Sequence, residues 1–338
     1  MSVKVLKVAA VALCGALTLS AGSALAQEAK SLDELLKFVK QGQVNEAKEN
    51  RAREAQFAKD KANQAAALKR AEAERAQQEQ LSAQLEKAFE ETCACDVKFV
   101  GAGDGAALLA RIRLEGERSQ ADIVLGLDTN LTAAARDTGL FAEHSVSADY
   151  AFPLGWNDPQ FVPFDWGVFA FVKNADLDAP TNFRDLGASD LRIVIQDPRS
   201  STPGLGLLMW VKTAYGDQAP EIWEALADNI VTVTKGWSES YGLFLEGEAD
   251  MVLSYTTSPA YHLIAEQDAS KDAVKFSEGH YMQIEVAGKL KTSDHPELAD
   301  RFLDFMVSDR FQSIIPTTNW MYPAVTPASG LPKGFETL

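Results

Sequence analysis

The chain has 338 residues, 46% hydrophobic and 24% charged, with a net charge of −16 and a pI near 4.7. That length and composition fit two lobes plus an appendage around a substantial core. The acidity argues against a nucleic-acid partner, which needs a basic face, and otherwise bears mainly on solubility.

Residues 1–26 read as a secretory signal peptide. Lys4 and Lys7 give a positive start, residues 8–19 an apolar run too short to span a bilayer, and Ala24-Leu25-Ala26 a small-x-small cleavage site. The mature chain is expected to begin at Gln27, in an oxidising compartment. Cys14 leaves a lipoprotein alternative, against which Leu13 stands where a small residue is wanted. No later stretch is long and apolar enough for membrane insertion. Residues 31–36 look like a capped amphipathic helix, with Ser31 as N-cap and Glu34 completing the box. Residues 43–91 hold neither Gly nor Pro and abound in Ala, Glu, Lys, Arg and Gln. They predict a helix, roughly 70 Å long if continuous. Its large apolar residues are too sparse for a strict heptad seam, so it reads as a solvated helix or weak coiled coil. Cys93 and Cys95, the two cysteines outside the signal, fit either a small disulfide ring or two reduced thiols. With four scattered histidines they make no metal set.

From Asp96 the texture changes. A strand over 97–100 precedes a helix over 104–114, a buried strand over 122–127 and a helix over 131–138. One or two strands cover 161–172. A strand over 191–196 leads to helices over 205–215 and 220–227. A strand over 230–233 precedes a helix over 240–245, and a strand over 251–255 precedes a helix over 259–266. A strand over 280–287 and a helix over 296–307 follow. Such alternation predicts an α/β sheet with crossovers.

Two short runs concentrate polar, small and aromatic residues at strand ends: 234–242, with Trp237, and 253–261, with Tyr255 and Tyr261. Aromatic walls and hydroxyls on loops held by a rigid sheet make a pocket for a flat organic ligand. The same pattern also fits ordinary strand–helix junctions whose aromatics are core.

These runs, with 121–128, 161–167, Gln196-Asp197-Pro198-Arg199-Ser200-Ser201-Thr202-Pro203-Gly204 and Asn319-Trp320-Met321-Tyr322-Pro323, resemble the thiamine-binding periplasmic proteins of bacterial ABC importers. The match runs from about Leu85 to Leu338, and Cys93 and Cys95 look like that family's paired cysteines. The resemblance implies a type II two-lobed periplasmic solute-binding protein, with its ligand between the lobes. It implies thiamine, or its mono- or diphosphate, as ligand, an inner-membrane ABC permease as partner, and no cofactor or catalysis. It places Asp104 on the aminopyrimidine and Ser201 and Thr202 on the phosphate or hydroxyethyl end. Trp237, Tyr255, Tyr261 and Trp320 fall at further cleft positions.

The chemistry of the residues agrees. Trp and Tyr faces attract a thiazolium cation, and a carboxylate accepts from an exocyclic amine. Simpler roles stay open: Asp104 as a helix N-cap, Ser201 as a helix-start residue, Tyr261 as packing. Iron or a polyamine is a different cargo for the same fold, and the chain has no Tyr-Tyr pair for iron. No nucleophile elbow or P-loop is present.

The chain departs from the family at both ends. The family's first strand is replaced by the polar helical segment, and the chain stops where the family continues. Residues 27–84 instead resemble the periplasmic segment of TolQ/ExbB-type energiser proteins. The expected division is 1–26 signal, 27–84 helical segment and 85–338 solute-binding domain, with the first strand of lobe one missing. The alternative function is an interaction subunit of an energiser complex carrying a non-functional binding lobe.

Overall fold

The computed structural model describes residues 83–335. The signal peptide, nearly all of the 27–84 segment and its energiser-like resemblance lie outside the described residues.

Helix α1 is described over 83–93. It docks through Phe89, 3% exposed, whose ring lies 5.0 Å from Phe302 and 5.5 Å from Phe305. Cys93 and Cys95, at its end, are joined in a disulfide. The strand expected over 97–100 does not form. That segment joins no ladder among the described residues, and Phe99 and Val100 are 47% and 58% exposed. β-propensity stabilises a strand only where a neighbour accepts its ladder and a face is buried, and no described strand lies alongside.

The remaining elements follow the expected alternation. They are α2 (Gly105–Glu115), β1 (Ile123–Asp128), α3 (Thr132–Arg136), β2 (Phe161–Asn174), α4 (Phe183–Gly187), β3 (Ile193–Gln196) and α5 (Thr202–Tyr215). Next come α6 (Ala219–Leu226), β4 (Ile230–Thr234), α7 (Trp237–Leu245), β5 (Met251–Tyr255), α8 (Ser258–Tyr261) and β6 (Lys271–Ala273). The described chain closes with β7 (Met282–Lys289), α9 (Pro296–Met306), α10 (Asp309–Gln312), α11 (Ile315–Thr318) and β8 (Tyr322–Pro323).

The sheet order is β1-β7-β2-β5-β3-β4, with β6 and β8 paired to β2. β2 is one 14-residue strand rather than two, and it belongs to both lobes. Its first half pairs with β7, which in turn pairs with β1; its second half pairs with β5 and β6. The β1–β7–β2 part is antiparallel, whereas β3 runs parallel to β4 and β5. Among the described residues the outer edge of β1 has no partner.

Each lobe buries both faces of its half-sheet. In lobe one, Leu109, Val124, Leu127, Phe161 and Val286 pack on one side, and Phe89, Val162, Phe164, Leu303 and Met306 on the other. In lobe two, Phe169, Phe171, Phe183, Trp210 and Leu253 form the larger core, opposite Val172, Tyr241, Phe244 and Val252. Helix α5 lies close to the sheet because it carries Gly204, where an added Cβ would sit 2.5 Å from the Gln196 carbonyl oxygen. Among the described residues no helix is long and apolar enough to cross a membrane.

Candidate ligand-binding site

The heads of helices from both lobes converge beside β2. Asp104 occupies the N-cap position of α2 but makes no side-chain bond to that helix. The capping role left open by the sequence is therefore not the one it plays. Its carboxylate faces the head of α5 instead, where the Ser201 hydroxyl and the Thr202 amide favour its charged form. Burial is the larger effect and raises its pKa. Ser201 is fully buried, and its Oγ completes no hydrogen bond of good geometry. The head of α7 is close too: a Cβ built on Gly236 would lie 3.9 Å from Asp104 Oδ2.

Behind Asp104 the sheet carries three carboxylates in one register row. Glu285 on β7 stands opposite Asp128 on β1 and opposite Asp165 on β2. Burial pushes Asp128 up to about 6, against the amide of Asn130, which donates to its Oδ1 at 2.7 Å. Burial first, then the Glu285 charge, raises Asp165 well above the carboxylate range. Glu285, pushed up to about 7 by burial, keeps some solvent access although protein surrounds it. Tyr255, at the end of β5, feels all four acids, and its hydroxyl pKa is raised by burial and by their charges.

The aromatic positions form a chain of rings. Trp237 stacks on Tyr241 at 4.8 Å, and Tyr241 stacks on His262 at 5.8 Å. Tyr261 meets His262 and Trp320 edge-on, each at 5.1 Å. Hydrogen bonds fix the chain from behind. The Trp237 indole donates to Ser254 Oγ at 2.8 Å, and Ser254 shares a 2.7 Å hydroxyl contact with Ser258 at the head of α8. His262 bridges Tyr241 (2.9 Å) and Glu266 (2.7 Å). His262, Glu266 and Asp268 also place ligand-type atoms within 4.8 Å of one another. Both imidazole nitrogens are already engaged, so the group acts as a hydrogen-bonded support for the ring chain. Trp320 has a φ of 56°, a left-handed conformation uncommon for so large a residue.

The structure thus brings Asp104, Ser201, Thr202 and Tyr255 around one acidic centre. Trp237 stands beside it through Gly236, and Tyr261 and Trp320 extend the ring chain. Sequence reasoning missed Asp128, Asp165, Glu285 and the Tyr241–His262–Glu266 support. The strand registers that align the three carboxylates join segments far apart in the chain.

A family profile described as bacterial extracellular solute-binding protein matches residues 71–313. A thiamine-binding periplasmic protein of Escherichia coli is 56% identical over 259 residues, covering 75% of this chain and 79% of its own length. One from Brucella melitensis is 48% identical over 255 residues, covering 74% and 76%. A solved structure titled periplasmic thiamin binding protein aligns at a TM-score of 0.72 and 55% identity, covering 75% of this chain and 81% of its own. The fold has the mixed α/β sheet and two lobes of a type II periplasmic binding protein. The chain belongs to the bacterial extracellular solute-binding protein family.

Proposed function

We propose that this chain captures thiamine, or a phosphate ester of it, in the periplasm and delivers it to an inner-membrane ABC permease without chemical change. The observation that carries the reading is Asp104. It makes no cap bond at the head of α2, faces the lobe-two helix heads and has Gly236, the residue before Trp237, beside it. An amine on a flat cation is a fitting partner for that carboxylate, and indole and phenol faces suit the cation's positive ring. Relatives named thiamine-binding periplasmic proteins, at 48–56% identity, support the choice of cation.

In this reading Asp104, Ser201, Thr202, Trp237, Tyr255, Tyr261 and Trp320 touch the ligand. The lobes close by bending where β2 passes from β7 to β5. The division of the chain at about residue 85 belongs to the same reading. The energiser alternative rests on residues outside those described, and no observation here favours it. A fluorescence titration tests the proposal: thiamine or thiamine monophosphate should quench tryptophan emission saturably. A Trp237→Phe variant should lose much of the quench. Unchanged emission up to millimolar ligand contradicts the reading.

A further inference from the structure

Asp128, Glu285 and Asp165 do more than line the sheet. Residues directly opposite in an antiparallel pair bring their Cβ atoms to about 4.5–5.5 Å, and like charges so placed are destabilising. Here that arrangement occurs twice in one row, Asp128 opposite Glu285 and Glu285 opposite Asp165. Asp165 is fully buried and Asp128 is 1% exposed. Among the described residues Asp165 Oδ1 has no hydrogen-bond partner, and Asp128 Oδ2 completes no bond of good geometry although the Thr202 hydroxyl lies close enough to favour its charged form.

Among the described residues the groups facing this row are acidic or neutral. Glu285 meets Gln283 on its own strand, Asp128 from β1 and Asp104 from the head of α2. Asp165 meets Glu285 and the amide of Asn319, which follows α11. Asp128 meets Asn130 and Thr202. Tyr255 faces the acids from β5, and Tyr281 faces Asp128. Among the described residues the one cation acting on these acids is Lys235, which reaches Asp104 and is outweighed there by Glu239. A row of buried, unpaired carboxylates without a compensating cation exists at a cost that protonation or a cationic ligand removes.

We infer that the Asp128–Glu285–Asp165 row makes the site select a positively charged ligand, and that it releases a proton when that ligand enters. The inference rests on the thiamine reading above. In the empty site Glu285 and Asp165 share a proton because both cannot ionise side by side. A thiazolium placed over Tyr255 supplies the missing positive charge, and the shared proton leaves to solvent. Binding then weakens as pH falls, by up to roughly tenfold per unit below neutrality, the limit for one released proton.

The test is calorimetry of thiamine binding to the full chain at pH 7, in phosphate and in Tris, whose ionisation heats differ widely. Wild type should show apparent heats that differ between the buffers by the heat of releasing about half to one proton. Glu285→Gln should still bind, several-fold more weakly, with that difference at least halved. Asp165→Asn gives the same readout if the first variant folds poorly. The Gln variant also serves as baseline for any titration of the ligand itself. Equal heats in the two buffers for a wild-type protein that binds thiamine overturn the inference. So does a Gln variant that releases as much proton as wild type. No binding heat at all overturns the thiamine reading itself, which is a distinguishable result.

Discussion

Trp237 and Ser254 are tied across the α7–β5 junction: the indole N–H donates to the Ser254 hydroxyl at 2.8 Å. That bond, with the stack on Tyr241, holds the indole at the head of α7, three residues before the helix start expected from sequence. Trp237→Ala should weaken thiamine binding by at least ~1.5 kcal/mol, about tenfold, through lost cation–π and apolar contact. Ser254→Ala should cost less, since the ring remains but is less firmly oriented. Calorimetric dissociation constants for both variants check the order. An unchanged constant in a folded Trp237→Ala protein removes this residue from the site.

Asp104→Asn separates the two roles open to an aspartate at a helix start. Its side chain makes no cap bond, so the melting temperature should stay near that of wild type. A working cap would cost ~1 kcal/mol when lost. Affinity should fall at least about fivefold, because a charge-assisted bond to the ligand becomes a neutral one. Thermal melts paired with ligand titrations decide the matter. A lower melting temperature with full affinity restores the cap.

The carboxylate row gives the empty protein a pH signature. Asp128 and Glu285 have native pKa values of about 6 and about 7, above those of an unfolded chain. Between the unfolded and native values the native state therefore binds more protons, and stability falls as pH rises through that window. His262, with a lowered pKa, acts in the opposite sense at and below its ordinary range. Glu285→Gln isolates the carboxylate part. Wild type should lose about 1–2 kcal/mol more than the variant on going from pH 6 to pH 8. Urea midpoints at the two pH values measure this, and parallel slopes contradict it.

Phe89 tests whether the described end of the N-terminal helix is structural. Its ring is buried against Phe302 and Phe305. Phe89→Ala should destabilise lobe one by about 3 kcal/mol, the usual cost of emptying an aromatic core position. A loss below about 0.5 kcal/mol, the range of surface substitutions, would show that α1 is an appendage.

Much of this fold is legible in the sequence because its strands and helices carry their own signals. Strand β5 runs over the expected 251–255, and α2 and β1 fall within a residue of their expected bounds. Errors fall where local chemistry was misread. Helix α7 starts at Trp237 because Glu239 accepts from the Lys235 and Gly236 amides at 3.0 and 3.2 Å, completing the cap from inside the first turn. Helix α5 starts at Thr202 because Pro203 is tolerated in a first turn, although Pro and Gly suggest a loop. Segment 97–100 has strand composition, but among the described residues no strand pairs with it. Short elements such as α4, α10 and β6 are too brief for periodicity to register. Asp104 and Trp237 stand out because aromatics and acids at Gly-rich junctions are conspicuous. Asp165 and Glu285 are single acids inside apolar strands, and only the register of β2 against β7 makes them a pair.

Equilibrium dialysis of the purified chain against labelled thiamine decides whether the cleft holds this ligand. One saturable site per chain is expected, half-filled at about micromolar concentration or below, and emptied by excess unlabelled thiamine. A folded protein, verified by a cooperative melt, that retains no label above the dialysate concentration would contradict it.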